Sequence, residues 1–422
     1  MSIPSTPSER LHTEPPARNG IAAALSSLAG PSLRRLLQRL LQGVACGSLQ
    51  VELPGGERAE AQGSIPGPQA AITLHRWRPL ARLLLRGDMG LAESYRDGDW
   101  SSPDLTALLE FGIRNEASWG KALEASWLSG WLSRLVHRLN ANSRRGSRQN
   151  ISFHYDLGNA FYAQWLDAEM VYSSGIYANG DETLAQAQAA KLARILALLD
   201  VQPGASVLEI GCGWGALASA IGKQGASVTG LTLSTEQLAH AQQRIAGEGL
   251  AGQVELRLQD YRDVQGRYDR IVSIEMLEAV GEAYWPVYFD TLRQRLQPGG
   301  KAVLQAITID DLYFERYRRG TDFIQRFIFP GGMLPSPAAM HDEARKAGLR
   351  IVHSETFGAG YAATLADWRH NFLGAWPAIQ ALGFDASFRR LWEYYLCYCE
   401  AGFLTGRVDV GLYTVEHAQA AT

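Results

Sequence analysis

Residues 207–215 read Val-Leu-Glu-Ile-Gly-Cys-Gly-Trp-Gly, and the rest of the chain is organised around them. Val207, Leu208 and Ile210 make a short apolar run suited to a buried parallel strand. Gly211, Gly213 and Gly215 then let the backbone turn tightly into a helix. Such a strand, turn and helix bring backbone close to a ligand and aim free N–H groups of the helix N-terminus at it, which suits a nucleotide-like molecule.

Two ligands fit this loop. Gly211, Gly213 and Ala216 match a dinucleotide pattern that is weak evidence on its own. Glu209 followed by Gly211, Gly213 and Gly215 resembles instead the S-adenosylmethionine loop of class I methyltransferases. A nicotinamide site usually has an acid about 20 residues on, at the end of the second strand. That strand runs Ser-Val-Thr-Gly-Leu-Thr-Leu-Ser over 227–234 and offers none, which favours the methyl donor.

With 422 residues, 46% of them hydrophobic, the chain can bury a large core and build two domains. It contains no apolar run long enough to span a membrane. Residues 1–25 begin polar and Pro-rich with no apolar stretch of a signal peptide, so a disordered tail and a cytoplasmic protein are expected. Cys46, Cys212, Cys397 and Cys399 show neither a disulfide framework nor a paired metal spacing, so they read as thiols and no metal is expected. Residues 1–150 carry 18 Lys/Arg against 13 Asp/Glu, while the remainder carries 22 against 30. The basic front half would be drawn to an anionic surface, phospholipid or nucleic acid.

Leu33, Leu36, Leu37, Leu40 and Leu41 recur at helical spacing among Arg34, Arg35 and Arg39, so the spacing predicts a basic amphipathic helix. It either covers its own domain's core or lies on lipid. Strand-like runs around 49–51 and 71–74 and a second basic helix near 80–85 complete a small α+β domain over 26–120. Residues 121–149 read as a basic linker, with Trp127, Trp131, Leu132 and Leu135 on an apolar face. Nothing there resembles an RNA-recognition signature, so no nucleic-acid partner is expected. From Asn150 onward the pattern is α/β: a helix over 184–199, strands over 227–232, 253–258, 269–274 and 301–307, helices over 235–247 and 286–296, and late strands near 349–354 and 408–415. The expected fold is a Rossmann-like, seven-stranded catalytic domain over 150–422.

The whole of 150–422, and more weakly 30–120, resembles the cyclopropane fatty acid synthase family. The resemblance is carried in order by HYDLGN at 154–159, VYSSGIY at 171–177, LEIGCGWG at 208–215, GLTLSTEQ at 230–237, LQDYRD at 258–263, SIEMLEAVG at 273–281, FIFPGGMLPS at 327–336, FGAGY at 357–361 and YYLCYCEAGF at 394–403. It implies methyl transfer from S-adenosylmethionine to the double bond of an acyl chain in an intact phospholipid. It also implies an N-terminal domain that docks on an anionic membrane, peripheral association with the inner face, and in many members a homodimer. The implied cofactor contacts are Tyr172, Ser173, Gly211, Gly213, Thr232, Leu233, Gln237, Gln259, Asp260 and Tyr261, beside Glu209 and Gly215 of the loop. Asp260 could meet the adenine amine, and Gln237 could reach the ribose in place of the absent acid.

Methyl transfer to an alkene leaves a carbocation, which aromatic faces can stabilise without reacting; Tyr172, Tyr361, Tyr394 and Tyr395 are candidates. A base must then remove a proton. In the family that base is a bicarbonate ion, and the implied ligand positions are Ser174 where Cys is expected, Glu278, Gln305 where His is expected, the Ile307 backbone and Tyr361. Ala279 also replaces a common His. Ser and Gln can still donate hydrogen bonds to an anion, but the site loses a potential positive charge. Glu400, beside Cys399 near the family's active-site Cys, or Glu278 is therefore expected to take part or all of the base role, with Glu275 another acid nearby. The resemblance implies ring closure to a cyclopropane as the product, and the changed site leaves a methyl- or methylene-branched chain as the alternative. A catalytically silent lipid binder and a small-molecule or RNA methyltransferase are the remaining alternatives.

Overall fold

The computed structural model describes residues 30–123 and 157–418, and contact clustering divides them into two compact units. The tail at 1–25, nearly all of the 121–149 linker and the start of the HYDLGN motif lie outside the described residues.

The first unit comprises residues 30–123 with Gly320–Ile324 and Phe372–Thr405. Strands β1 (Cys46–Glu52), β2 (Arg58–Gln62), β3 (Ile65–Leu74) and β4 (Trp100–Ser101) form one sheet in the order β2-β1-β3-β4. The helix Gly30–Gln42 buries Leu33, Leu37 and Leu40 and exposes Arg35 and Arg39, so its apolar stripe serves the unit's own core. Asn115 ties the helix Leu105–Leu123 to β1: its Oδ1 accepts from the Ala45 and Cys46 N–H groups at 2.8 and 3.0 Å, and its Nδ2 donates to the Cys46 carbonyl at 2.8 Å. The helix Ala386–Leu404, which carries the YYLCYCEAGF motif, groups with this unit. It packs on the helices Arg78–Arg96 and Leu105–Leu123 through buried residues such as Leu391, Tyr394 and Tyr395. Contact grouping thus divides the span 150–422 that the sequence presents as one domain.

The second unit contains β5 (Ser206–Ile210), β6 (Ser227–Thr232), β7 (Val254–Leu258), β8 (Tyr268–Ile274), β9 (Leu296–Ile309), β10 (Leu349–Thr356) and β11 (Val408–His417). They pair in the order β10-β11-β9-β8-β5-β6-β7, parallel from β7 through β9, with β11 antiparallel to both neighbours. This is the class I methyltransferase sheet. Alternation along the strands fills two cores. Leu208, Ile210, Ile271 and Leu304 bury one face against the helix Trp285–Arg295, and Val207, Val272, Val303 and Leu412 bury the other against Leu184–Leu199 and neighbouring helices. The helices Leu184–Leu199 and Thr235–Gly247 fall where their periodicity predicts. Strand β9 begins earlier than predicted, because Leu296 already pairs with Tyr268 before a register shift restores pairing from Lys301.

Candidate active site

Strand β5 lies between β6 and β8, so the chain leaves it toward one edge through β6 and β7 and returns on its other side through β8. A crevice opens at such a switch point, beyond the strands' C-terminal ends. The loop after β5 supplies one wall. Gly211, Gly213 and Gly215 have φ of 84°, 51° and 86°, a region that side chains disfavour. A Cβ on Gly211 would lie 2.4 Å from the Met276 sulfur, whereas one on Gly213 would meet nothing within 4 Å, so the loop leaves open space for a ligand. Trp214 is fixed by donation from its Nε1 to Asn159 Oδ1 at 2.7 Å.

The neighbouring strand ends supply polar groups. Ser234 caps the helix Thr235–Gly247, and the Thr232 hydroxyl donates to Oε1 of buried Gln237 at 3.0 Å. Leu233 is half-buried between them. The Gln259 N–H donates to the Thr232 carbonyl at 3.1 Å, joining the ends of β6 and β7. Asp260 accepts from the Arg262 guanidinium on both oxygens, at 2.8 and 2.5 Å, and from the Arg262 N–H at 3.0 Å, and Tyr261 beside it is buried. Glu209 is buried in β5, its Oε2 has no hydrogen-bond partner among the described residues, and burial pushes its carboxyl up to about 8. An orphaned carboxylate beside an open glycine loop fits a cationic nucleoside such as S-adenosylmethionine. Glu209 would accept hydrogen bonds and, as the positive charge of the cofactor draws its raised pKa back down, supply the counter-charge; the loop would supply close backbone approach, and Gln237 and Asp260 hydrogen bonds.

The second wall begins at Glu275, directly after β8. It holds a left-handed φ of 51°, and its N–H donates to the Gln305 carbonyl at 2.8 Å. Its Oε1 accepts from the Ser174 N–H at 2.9 Å and from Gln305 Nε2 at 2.7 Å, and its Oε2 accepts from the Tyr361 hydroxyl at 2.7 Å. Burial raises its pKa, opposed by these hydrogen bonds and by the charge of Lys191. One turn on, Glu278 accepts from the Ile307 N–H through Oε1, and burial, with repulsion from Glu275, pushes it up to about 8. Buried Lys191 donates to Ser173 Oγ at 2.6 Å, and Gln188 donates to the Ser173 carbonyl at 2.8 Å. Desolvation brings Lys191 down to about 8.

Aromatic rings line the same unit. Trp214 packs on Tyr162, Tyr162 on Tyr172, Tyr172 on Trp368 and Trp368 on Tyr361, with ring centroids 5.2, 5.4, 5.1 and 6.1 Å apart. This wall runs from the glycine loop to the tyrosine that holds Glu275.

The structure thus brings Ser174, Gln305 and Tyr361 together on one carboxylate, that of Glu275, and Ile307 onto Glu278. It places Glu400, Cys399, Tyr394 and Tyr395 in the first unit, where Glu400 is buried and accepts from the Thr106 hydroxyl at 2.9 Å. Sequence reasoning missed Tyr162, Trp214, Trp368 and Lys191. A signal existed for Lys191 alone: it falls on the apolar face of its helix, with Ala187 and Ile195.

The sheet order and the crevice it opens make this chain a class I S-adenosylmethionine-dependent methyltransferase, with S-adenosylmethionine as the methyl donor. Residues 142–412 match the family described as mycolic acid cyclopropane synthetase, and the chain belongs to that family. It is 38% identical over 414 residues to the tuberculostearic acid methyltransferase UfaA1 of Mycobacterium tuberculosis, covering 94% of this chain and 93% of that protein. It is 37% identical over 331 residues to the cyclopropane-fatty-acyl-phospholipid synthase of Escherichia coli, covering 76% and 81%. Among solved structures it is similar to the mycolic acid cyclopropane synthase CmaA1 complexed with SAH and CTAB, at 30% identity and a TM-score of 0.60 over 64% of this chain and 97% of that one.

Proposed function

We propose that this enzyme methylates the double bond of an unsaturated phospholipid acyl chain and that its product is a methyl- or methylene-branched chain. The observation that carries the reading is the aromatic wall from Trp214 to Tyr361, which ends on the Glu275 carboxylate. When bound, S-adenosylmethionine supplies an electrophilic methyl group. An alkene is a weak nucleophile, so the protein must position it and exclude water. Methylation leaves positive charge on the acyl chain, and the faces of Tyr172 and Trp368 attract a cation without offering it a nucleophilic lone pair of an acid or amine. A proton must then be lost to a base.

The likeness over nearly the full chain to a methyltransferase named for tuberculostearic acid, a methyl-branched acid, supports the branched product. Ring closure to a cyclopropane is the second reading, supported by the likeness to the Escherichia coli synthase. The basic excess of residues 1–150 supports docking of the front part on the cytoplasmic face of an anionic membrane, and we extend the proposal to a homodimer. Among the described residues no helix is long and apolar enough to cross a membrane.

The test is product analysis. Vesicles of mono-unsaturated phospholipid are incubated with the full chain and methyl-labelled S-adenosylmethionine, and the extracted acyl chains are weighed before and after mild hydrogenation. A labelled chain heavier by one methylene unit that still takes up hydrogen supports branching. One that resists hydrogenation is a cyclopropane and overturns the product assignment. A chain that gains no label overturns the acceptor.

A further inference from the structure

We propose that Glu275 is the general base of the reaction and that its side chain takes the place of a bound bicarbonate ion. This rests on the acceptor reading above. The donors expected to hold such an ion are the Ser174 hydroxyl, the Gln305 amide, the Ile307 N–H and the Tyr361 hydroxyl; the Ser174 hydroxyl donates instead to the Gly175 carbonyl at 3.0 Å, and the Ser174 backbone N–H stands in its place. In the structure the Ser174 N–H, Gln305 Nε2 and the Tyr361 hydroxyl all donate to Glu275, at 2.9, 2.7 and 2.7 Å, and the Ile307 N–H donates to Glu278. A bicarbonate ion and a glutamate side chain present the same planar O–C–O fork, so one can satisfy the donors of the other. A free anion would find these donors taken and two carboxylates facing it.

The backbone is bent to deliver this group. Glu275 sits at φ 51°, which costs a residue with a Cβ about 1–2 kcal/mol and persists where the surroundings enforce it. The three groups that donate to its carboxylate, a backbone N–H, an amide and a hydroxyl, are neutral, and the buried cation nearby, Lys191, donates to Ser173 Oγ at 2.6 Å and acts on Glu275 through its charge. A carboxylate held by neutral donors remains a better base than one locked in an ion pair, and burial raises its pKa further. Glu278 is less suited, because a group pushed up to about 8 is mostly protonated near neutrality and cannot accept a proton.

The step balances without another reactant. The alkene π pair forms the bond to the incoming methyl group, the sulfur–carbon pair stays on S-adenosylhomocysteine, and the cation is left on the adjacent carbon. In the branched outcome a hydride shift moves the cation to the methyl-bearing carbon. The C–H pair of the methyl group then becomes the new π bond, and its proton passes to the Glu275 carboxylate, which returns it to water before the next turnover.

The experiment compares the full-length wild type with Glu275→Gly and Glu275→Gln in bicarbonate-free and bicarbonate-supplemented buffer. Glycine tolerates the left-handed backbone and empties the fork, whereas glutamine fills it without a basic oxygen. Three readouts are taken: bicarbonate binding by carbon-13 NMR, S-adenosylmethionine affinity by calorimetry, and methyl transfer to mono-unsaturated vesicles. The wild type should bind no bicarbonate and turn over at the same rate with or without it. Both variants should keep cofactor affinity within about threefold and lose about a hundredfold or more in turnover, the range a general base supplies. Glu275→Gly should bind bicarbonate and recover with it, and Glu275→Gln should not. Bicarbonate binding by the wild type, or a Glu275→Gln enzyme within about threefold of wild type, overturns the proposal. The binding readout decides the matter whatever the lipid result. Wild type that binds cofactor and excludes bicarbonate but labels no acyl chain refutes the acceptor reading instead.

Discussion

Replacing Glu209 by Gln separates the two consequences of an orphaned carboxylate in the cofactor crevice. Burial alone pushes the Glu209 carboxyl from 4.5 to about 8, and its Oε2 has no partner among the described residues. In the unfolded chain the group titrates near its ordinary value, so between about 4.5 and 8 the folded protein holds a proton that the unfolded chain has released. The stability this group contributes is complete below about 4.5 and is lost as the pH rises through about 8. Each pH unit of that window is worth about 1.4 kcal/mol, which sets a ceiling of about 5 kcal/mol. Relaxation and water entry reduce such penalties, leaving about 1–3 kcal/mol. Glutamine cannot ionise and escapes the loss. Urea denaturation of cofactor-free wild type and Glu209→Gln at about pH 5.5 and about pH 8.5 should show the variant gaining that amount on the wild type between the two. The same variant should bind S-adenosylmethionine about tenfold or more weakly, a loss of about 1.4 kcal/mol. Parallel pH dependence of the two proteins would refute the reasoning.

Gly211→Ala should abolish cofactor binding in calorimetry, because its Cβ would sit 2.4 Å from the Met276 sulfur at a left-handed φ of 84°. Tyr361→Phe keeps the ring against Trp368 but removes the hydroxyl that donates to Glu275, a bond to a charged group worth about 1.5–3 kcal/mol. Since that bond opposes the raised pKa, its loss should move the acidic limb of the kcat/KM profile up by about one to two pH units. Asn115→Ala should lower the urea midpoint by the equivalent of about 2–4 kcal/mol while leaving cofactor affinity intact, because it strips the buried ties between the helix Leu105–Leu123 and β1 in the first unit.

The sheet was legible in the sequence because its strands alternate with helices across turn residues and the central one contains the short apolar run 207–210. The glycine loop was legible for the same local reason. The grouping of Phe372–Thr405 was not: the helix Ala386–Leu404 buries residues around much of its circumference, and periodicity says that such a helix is buried but not against what. The base site divides in the same way. The family resemblance singled out Ser174, Gln305 and Tyr361, but the choice among Glu275, Glu278 and Glu400 depends on a left-handed turn after β8 and on donors about a hundred residues away on either side. Of the aromatic wall, Tyr172 and Tyr361 were legible in the sequence but Tyr162, Trp214 and Trp368 were not, because its rings come from separate segments around 162–172, 214 and 361–368 that only the fold brings together.

The central claim is that the acceptor of the methyl group is a carbon–carbon double bond. The most direct test offers the full chain methyl-labelled S-adenosylmethionine with two sets of phospholipid vesicles, identical in headgroup and differing only in whether one acyl chain is mono-unsaturated or fully saturated, and counts label in the released fatty acids. Label confined to the acyl chains of the unsaturated vesicles is the predicted result. Equal label in both sets, or label in the headgroup rather than the chain, would contradict it.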